Sequence, residues 1–461
     1  MKNNKKIVLI NLLNQRPTKP TPRDISETKR GPHFPLGISS IATYIKDRLP
    51  DTDIMLLDDQ LMDLETIIKK ITKFKPDFVG LSPIVSGYEK SLIIAHEAKK
   101  IKATVIIGGQ YATPMSKQIL LNRGIKSNDY CIDIIVSEDG ERPFFEIING
   151  KNLSEIKNIA YFKDNEIISN ENEISSFRSL KIHKSIINPF DYFAEYQKHH
   201  PDSNYKNPFV IQTQKGCFWR QQLKTNCLFC SIMHDKFILK DPKTAWKEIN
   251  DLVNDFGVDY IWDVSDDFLA DKKWFFEFYN LSKKYKNRPS FKIHSRANHL
   301  IRDSFVKKVK ELKIDQIFVG FESNDDECLK KLNKGTSTKI NKKVIELLSK
   351  YNIRIEGHFI IGNIGETQES LEKSFKLAEK IINCNENNVI VPAPLTPFPN
   401  SVSYKMINEK TSNKYLYCDI IDWIDLKEDW VKYYCNTSQE TVNDYYEKFK
   451  KLSKNFNALY Y

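Results

Sequence analysis

Three of the eight cysteines in this 461-residue sequence fall within fourteen residues: Cys217, Cys227 and Cys230. They follow an apolar run, Phe209-Val210-Ile211, that reads as a strand. Thiolates this close in sequence can grip one metal centre, and their number restricts which. Structural zinc takes four ligands, so three cysteines suffice only if a histidine joins them. His234, four residues after Cys230, could be that histidine. An iron–sulfur cube has four irons. Three thiolates would hold three of them and leave one open to a substrate or cofactor. The other cysteines, Cys131, Cys328, Cys384, Cys418 and Cys435, are scattered and read as structural thiols. Eight cysteines in a chain this long do not make a disulfide scaffold, and their clustering points to metal chemistry in a reducing compartment.

The cysteines need a fold to hold them. From Phe209 to about Asn400, short apolar runs alternate with amphipathic ones. The expected strands are Phe209–Gln214, Tyr260–Val264, Ser290–His294, Gln316–Phe321, Arg354–Ile361 and Asn388–Pro392. The expected helices are Thr244–Phe256, Lys272–Tyr285, Ile301–Leu312, Lys339–Tyr351 and Glu369–Ile382. Six such parallel units suggest a partial (β/α)6 barrel, whose chemistry should sit at the carboxyl ends of the strands. Those ends carry Gly216-Cys217, Ser265-Asp266-Asp267-Phe268, Ser295-Arg296, Gly320-Phe321-Glu322-Ser323, Gly362 with Gly365-Glu366, and Thr396-Pro397-Phe398-Pro399. His294 and His358, on strands, read as satisfied core histidines.

The ordered set Lys215-Gly216-Cys217, Cys227-Leu228-Phe229-Cys230, Asp266-Asp267-Phe268, Gly320-Phe321-Glu322-Ser323 and Thr396-Pro397-Phe398-Pro399 resembles the radical S-adenosylmethionine (radical SAM) superfamily. The resemblance implies that Cys217, Cys227 and Cys230 hold a 4Fe-4S cluster whose open iron chelates the methionine end of S-adenosylmethionine. It implies Asp266 and Asp267 near the methionine amine, Ser295, Arg296 and Glu322 near the ribose and carboxylate, and Phe229 and Gly362 beside the adenine. A cationic sulfonium with a zwitterionic end calls for carboxylates and a guanidinium close by. Reductive cleavage would give a 5′-deoxyadenosyl radical able to take hydrogen from an unactivated carbon. The electron would come from a carrier such as flavodoxin or ferredoxin. No residue stands out as a separate acid, base or nucleophile. One departure is plain: nine residues separate Cys217 from Cys227, where the family usually has three.

Residues 1–150 alternate in the same way. Strands are expected at Ile7–Asn11, Ile54–Asp58, Phe78–Ser82, Thr104–Gly108 and Ile132–Ser137, with helices between them, which makes a doubly wound parallel sheet. Pro35-Leu36-Gly37-Ile38, Ile106-Ile107-Gly108-Gly109 and Ser137-Glu138-Asp139-Gly140-Glu141 together resemble the cobalamin-binding domain that precedes many radical SAM enzymes. That resemblance implies cobalamin at the strand ends, near Ser82, Gly108, Gly109 and Glu138. The Asp-x-His-x-x-Gly signature is missing, and Asn11 to Pro20 contains no histidine. The glycines also fit a plainer reading as tight strand-to-helix turns.

Residues 151–205 read as a connection with a small hairpin, 206–400 as the barrel, and 401–461 as a helical, aromatic-rich cap placed to serve as a lid. The formal charge of +10 is spread along the chain, as on a solvated surface, which argues against nucleic acid as a partner. No apolar run reaches about eighteen residues, so no membrane span is expected, and the chain reads as cytoplasmic. The reaction these features imply is methyl transfer to an unactivated carbon of a small molecule or peptide. The alternatives are a rearrangement, cyclisation or oxidation on the same architecture, and a non-catalytic zinc-stapled binding protein.

Overall fold

The computed structural model describes residues 4–13, 32–122, 131–173, 177, 180–224, 226–233 and 236–452. They form two units. The first contains the described residues up to Tyr196 together with Leu416–Ile421, and the second contains Gln197–Tyr415 and the residues from Asp422 on.

The first unit is a seven-stranded sheet in the order β2-β1-β3-β4-β5-β6-β7. Its strands are β1 (Lys6–Leu12), β2 (Asp53–Asp58), β3 (Phe78–Pro83), β4 (Thr104–Ile107), β5 (Ile134–Val136), β6 (Ile159–Lys163) and β7 (Glu166–Ser169). The first five are parallel, as expected from their near-continuous apolar runs. Strand β1 is buried from Ile7 to Leu12 because helices cover both faces. The helix Leu64–Phe74 shows how: Asp63 caps it by accepting from the Thr66 N–H, and Ile67 and Ile71 put one face into the core. Strand order reverses between β1 and β3, the switch point at which such sheets bind ligands.

Residues 151–205 are not a free connection. Strand β6 pairs antiparallel with β5, and β7 with β6, so the hairpin covers an edge that β5 would otherwise expose. The helix Pro189–His199 buries Tyr192, Phe193 and Tyr196, and the Tyr192 hydroxyl donates to Asp58 at 2.9 Å. Nor is 401–461 one piece. Within the first unit, Gln118 donates to the Leu416 carbonyl at 2.9 Å, and Tyr88 to the Asp419 carboxylate at 3.0 Å. Tyr111 donates to the Asp419 carbonyl. Buried tyrosine hydroxyls need acceptors, and this short segment supplies them.

The second unit is a partial (β/α)6 barrel. Its six strands are parallel and lie in sequence order: β8 (Pro208–Ile211), β11 (Tyr260–Asp263), β12 (Ser290–Ser295), β13 (Ile314–Glu322), β14 (Arg354–Ile361) and β15 (Val389–Pro394). β8 and β15 are its edges. A two-stranded ribbon, β9 (Gln214–Lys215) with β10 (Ile238–Leu239), closes the base of the cysteine loop.

The tail is helical: Val402–Lys410, Trp423–Tyr434 and Gln439–Leu452. The last of these is not a lid. Phe449 packs at 5.3 Å on Phe359 of β14 and at 5.3 Å on Phe375 of the helix Gln368–Cys384. Phe359 shares a strand face with Gly357, where a Cβ would come within 3.1 Å of Ile381 on that same helix. Gln439–Leu452 therefore lies in the outer helical layer. It takes the place of the helix that the sixth strand lacks, which is why its aromatic rings are buried. No helix among the described residues is long and apolar enough to cross a membrane.

Candidate cluster and cofactor site

The cysteine loop starts from a braced strand end. Asp263, fully buried at the end of β11, accepts from the hydroxyls of Thr213 and Ser265 at 2.5 Å each. Ser265 in turn accepts from the Gln214 N–H at 2.8 Å. The chain is thus pinned three residues before Cys217. Burial pushes the Asp263 carboxyl up, against these hydrogen bonds.

A second loop, Leu332 to Gly335, cradles the cysteines from the other side. The Leu228 N–H donates to the Leu332 carbonyl at 2.9 Å, and the Asn333 side chain donates to the Asn226 carbonyl at 2.9 Å. The Cys227 thiol lies 3.6 Å from the Asn333 carbonyl. Gly335 has φ +64° and no room for a Cβ, because the Trp219 ring fills that space. Nothing in the sequence reading singled out this loop; its Asn-Lys-Gly turn was the available signal.

Arg296 joins the two loops. Its guanidinium stands 3.6 Å from the Cys227 sulfur, lies over the Trp219 ring at 4.6 Å, and donates to the Lys334 carbonyl. Lys334, which the sequence reading missed, pairs with Glu322 at 2.6 Å and sits 5.5 Å over the Phe229 ring. Glu322 has φ +61°, in the left-handed region that a non-glycine residue enters at a cost of about 1–2 kcal/mol. It follows a register shift between β13 and β14, and such a bulge re-aims a side chain. Gly320 leaves the space that the Glu322–Lys334 pair occupies.

The remaining expected residues fall into two groups. Asp267 is buried and already engaged: it accepts from the Arg296 N–H at 3.2 Å and lies 2.8 Å from His299. Asp266 beside it is exposed. Ser295 is buried and donates to the Arg296 carbonyl at 3.1 Å. Gly362, with φ +84°, is held at the end of β14 by Glu366, which accepts its N–H at 2.6 Å, and by Trp430, which donates to its carbonyl at 2.9 Å. Burial pushes the Glu366 carboxyl up to about 7, although the Gly362 and Asn363 N–H groups oppose this.

The Cys230 thiol feels the other two. Burial and then the neighbouring Cys227 and Cys217 push Cys230 up to about 12, and burial pushes Cys217 up as well. Thiolates here need a cationic centre between them. Among the described residues, no three histidine, cysteine or acidic side chains converge on a single ion. A four-iron cube binds each thiolate through a different iron, so convergence on one point is not required. His234, the histidine of the zinc alternative, lies outside the described residues.

In the first unit, Ser82, Gly108 and Gly109 meet at the ends of β3 and β4. A Cβ on Gly109 (φ +87°) would lie 2.9 Å from Ser82 Oγ, and one on Gly108 would lie 3.0 Å from the Val136 carbonyl. Protein atoms fill both spaces, so packing of strand ends accounts for the glycines. Glu138, with φ +57°, is half-buried after β5. The more developed polar group lies at the ends of β1 and β2, where no residue was singled out. Asn11 donates to Asp58 at 3.1 Å, and Lys90 pairs with Asp59 at 3.2 Å. Burial pushes the Asp58 carboxyl up to about 6 against its hydrogen bonds.

Comparison with known proteins agrees with this architecture. Residues 211–378 match the radical SAM superfamily, and residues 22–147 match the B12 binding domain. The chain is 26% identical over 378 residues to an uncharacterized methyltransferase of Pyrococcus horikoshii, covering 78% of this chain and 77% of that protein. It is 27% identical over 393 residues to the anaerobic magnesium-protoporphyrin IX monomethyl ester cyclase of Rubrivivax gelatinosus, covering 82% of this chain and 66% of the cyclase. Two solved structures share the fold. The cobalamin-dependent S-adenosylmethionine radical enzyme OxsB aligns with TM-score 0.70 and 16% identity, over 98% of this chain and 67% of that one. The radical S-adenosylmethionine methyltransferase TsrM of Kitasatospora setae aligns with TM-score 0.69 and 14% identity, over 89% and 78%. The chain thus carries a radical SAM domain and a B12 binding domain together, as its structural neighbours OxsB and TsrM combine the same two parts in one fold. Its cofactors are those of the two families: a 4Fe-4S cluster, S-adenosylmethionine and cobalamin. Such enzymes draw their electron from an external reductant.

Proposed function

We propose that this chain is a cobalamin-dependent methyltransferase acting on an unactivated carbon of a small-molecule or peptide substrate. The observation that carries the reading is the presence in one chain of a B12 binding domain and a radical SAM barrel whose first strand leads into the loop of Cys217, Cys227 and Cys230. Two methyltransferases among the similar proteins, from Pyrococcus horikoshii and Kitasatospora setae, support it.

When bound, the cluster and S-adenosylmethionine supply a 5′-deoxyadenosyl radical, and cobalamin supplies a methyl carrier. The chain's part is to position and shield. Cys217, Cys227 and Cys230 hold the cluster. Arg296, 3.6 Å from the Cys227 sulfur, offsets thiolate charge while its planar fork stays anchored on the Lys334 carbonyl. Lys334 and Glu322 can open from each other to take the carboxylate and the ribose of S-adenosylmethionine. Asp266 takes the methionine amine, and Asp267 positions Arg296 and His299. Ser295 borders the ribose, and Phe229 and Gly362 border the adenine. In the first unit, Ser82, Gly108, Gly109 and Glu138 flank cobalamin at the strand ends, and flavodoxin or ferredoxin supplies the electron.

Turnover with methyl-labelled S-adenosylmethionine tests the reading; label should appear in the product. The similarity to the Rubrivivax gelatinosus cyclase favours one alternative, a ring closure or oxidation on the same architecture. Product without label would select it.

A further inference from the structure

A surface cavity of about 190 Å³ lies where the N-terminal parts of the helices Lys272–Ser282 and Asp303–Glu311 meet the helical turn Ala297–Leu300 that follows β12. Its wall has an apolar part, Phe276, Ile301 and Phe305, and a basic part, Lys272, Arg302 and Lys308. No acidic residue lines it. Phe276 and Ile301 are 37% and 41% exposed. They border the same cavity, so they form a patch rather than scattered single residues.

The charge of this patch is uncompensated. Among the described residues, none of Lys272, Arg302 and Lys308 is in an ion pair. Lys308 lies over the Tyr279 ring, at 5.2 Å. Asp271 and Asp303, next in sequence to Lys272 and Arg302, are held elsewhere. Asp271 caps its own helix by accepting the Trp274 N–H at 2.8 Å, and Asp303 pairs with Lys350 at 2.5 Å. Three such cations around an apolar centre favour a negatively charged partner.

The inner wall of the cavity touches the cysteine loops. His299, in that wall, lies 2.8 Å from one oxygen of Asp267, whose other oxygen accepts the Arg296 N–H at 3.2 Å. The Arg296 guanidinium stands 3.6 Å from the Cys227 sulfur. Asn298, beside His299, donates to the Gly335 carbonyl at 2.8 Å, and Gly335 packs against Trp219, two residues after Cys217. A continuous set of contacts thus leads from the surface patch to a thiol expected to hold the cluster. Electron transfer weakens steeply with distance, so a carrier must seat where its acceptor lies near the surface.

We propose that this face docks the acidic one-electron carrier protein that reduces the cluster. Lys272, Arg302 and Lys308 meet carboxylates of the carrier, and Phe276 and Ile301 form the dry centre of the contact. The carrier is oxidised by one electron, the cluster is reduced by one, and no bond forms or breaks. A patch this small suits the weak encounter of a redox pair, which must part after each electron. Its charge serves the rate of encounter more than the affinity. The inference rests on the proposed function only in taking the electron from a protein carrier.

The test is binding of a flavodoxin and of a ferredoxin to the full-length, anaerobically reconstituted protein, followed by surface plasmon resonance. Lys272→Glu, Arg302→Glu and Lys308→Glu together should lower the association rate at least about tenfold and flatten its dependence on ionic strength, with iron content retained. Each single reversal should show a share of that loss. The same change of charge at other exposed helix positions, Lys376→Glu, Lys380→Glu and Lys405→Glu together, should lower it less than about threefold. Phe276→Ser should instead speed dissociation about threefold. No binding of either carrier, equal effects of the two triple reversals, or an oligoglutamate peptide that binds as tightly as the carrier would each overturn the proposal. Methyl transfer is read separately, from label in the product, so its failure leaves the binding result untouched.

Discussion

Two of the barrel's buried lysine–glutamate pairs, of nearly equal length, are built for different purposes. In the lumen, Lys292 and Glu356 meet at 2.7 Å with 0% and 1% of their side chains exposed. Glu356 also engages Gln316 and His358, and it sits in regular strand. Burial alone would raise its carboxyl, but Lys292 and His358 outweigh burial and bring it down to about 2. At the rim, Lys334 and Glu322 meet at 2.6 Å, and 10% and 8% of their side chains are exposed. Lys334 is the one hydrogen-bond partner of the Glu322 carboxylate among the described residues, and the Glu322 backbone is strained. A buried pair whose carboxylate is held by further partners fixes structure, whereas a strained pair with spare hydrogen-bonding capacity can exchange its partner for a ligand. Glu366, ten residues beyond Glu356, sharpens the contrast: without a paired cation, burial raises it to about 7.

The comparison can be broken at several points. The largest effect belongs to the rim's purpose. Cys227→Ala should lower reductive cleavage of S-adenosylmethionine by at least about a thousandfold while the far-ultraviolet circular dichroism is retained. Unimpaired cleavage would mean that the rim does not hold the cluster. Next is the lumen pair: Lys292→Met strands the Glu356 charge and should cost about 3–5 kcal/mol in denaturant unfolding, much of it recovered when Glu356→Leu is added. Lys334→Met should cost far less stability but weaken S-adenosylmethionine binding about tenfold. If the two lysines gave the same stability loss and neither affected binding, the distinction would fall.

Glu366 gives the third test. Its folded pKa of about 7 lies above the ordinary glutamate value of 4.5, so its contribution to stability is fully present below 4.5 and lost as pH rises through 7. The loss should be on the order of 3 kcal/mol, and Glu366→Gln should flatten it in unfolding curves taken from pH 5 to 8. The smallest effect is expected from Trp430→Phe, which removes the hydrogen bond to the Gly362 carbonyl and should cost about 1 kcal/mol in thermal unfolding.

Much of this protein was legible in its sequence. Alternating apolar runs located the five parallel strands of the first sheet and the six of the barrel, because periodicity is a local property of the chain. The cysteine spacing and the polar strand ends pointed to the rim for the same reason. The lysine that completes the rim was not legible. Lys334 matters because its loop packs under Asn226, Cys227 and Leu228, more than a hundred residues away in sequence. The glycines at 108 and 109 were visible, but only the neighbouring strand ends show that protein atoms fill their space.

The sequence by itself determined which elements form, in what order, and that three thiols end the first barrel strand. Tertiary structure decided the rest. It turned the hairpin at 159–169 into sheet edge and the tail helix Gln439–Leu452 into the missing outer layer. It also joined Arg296 to Cys227 and separated one lysine–glutamate pair as floor from another as rim. The physical reason is the same in each case: burial and pairing depend on contacts between distant segments, and these leave no period in the chain.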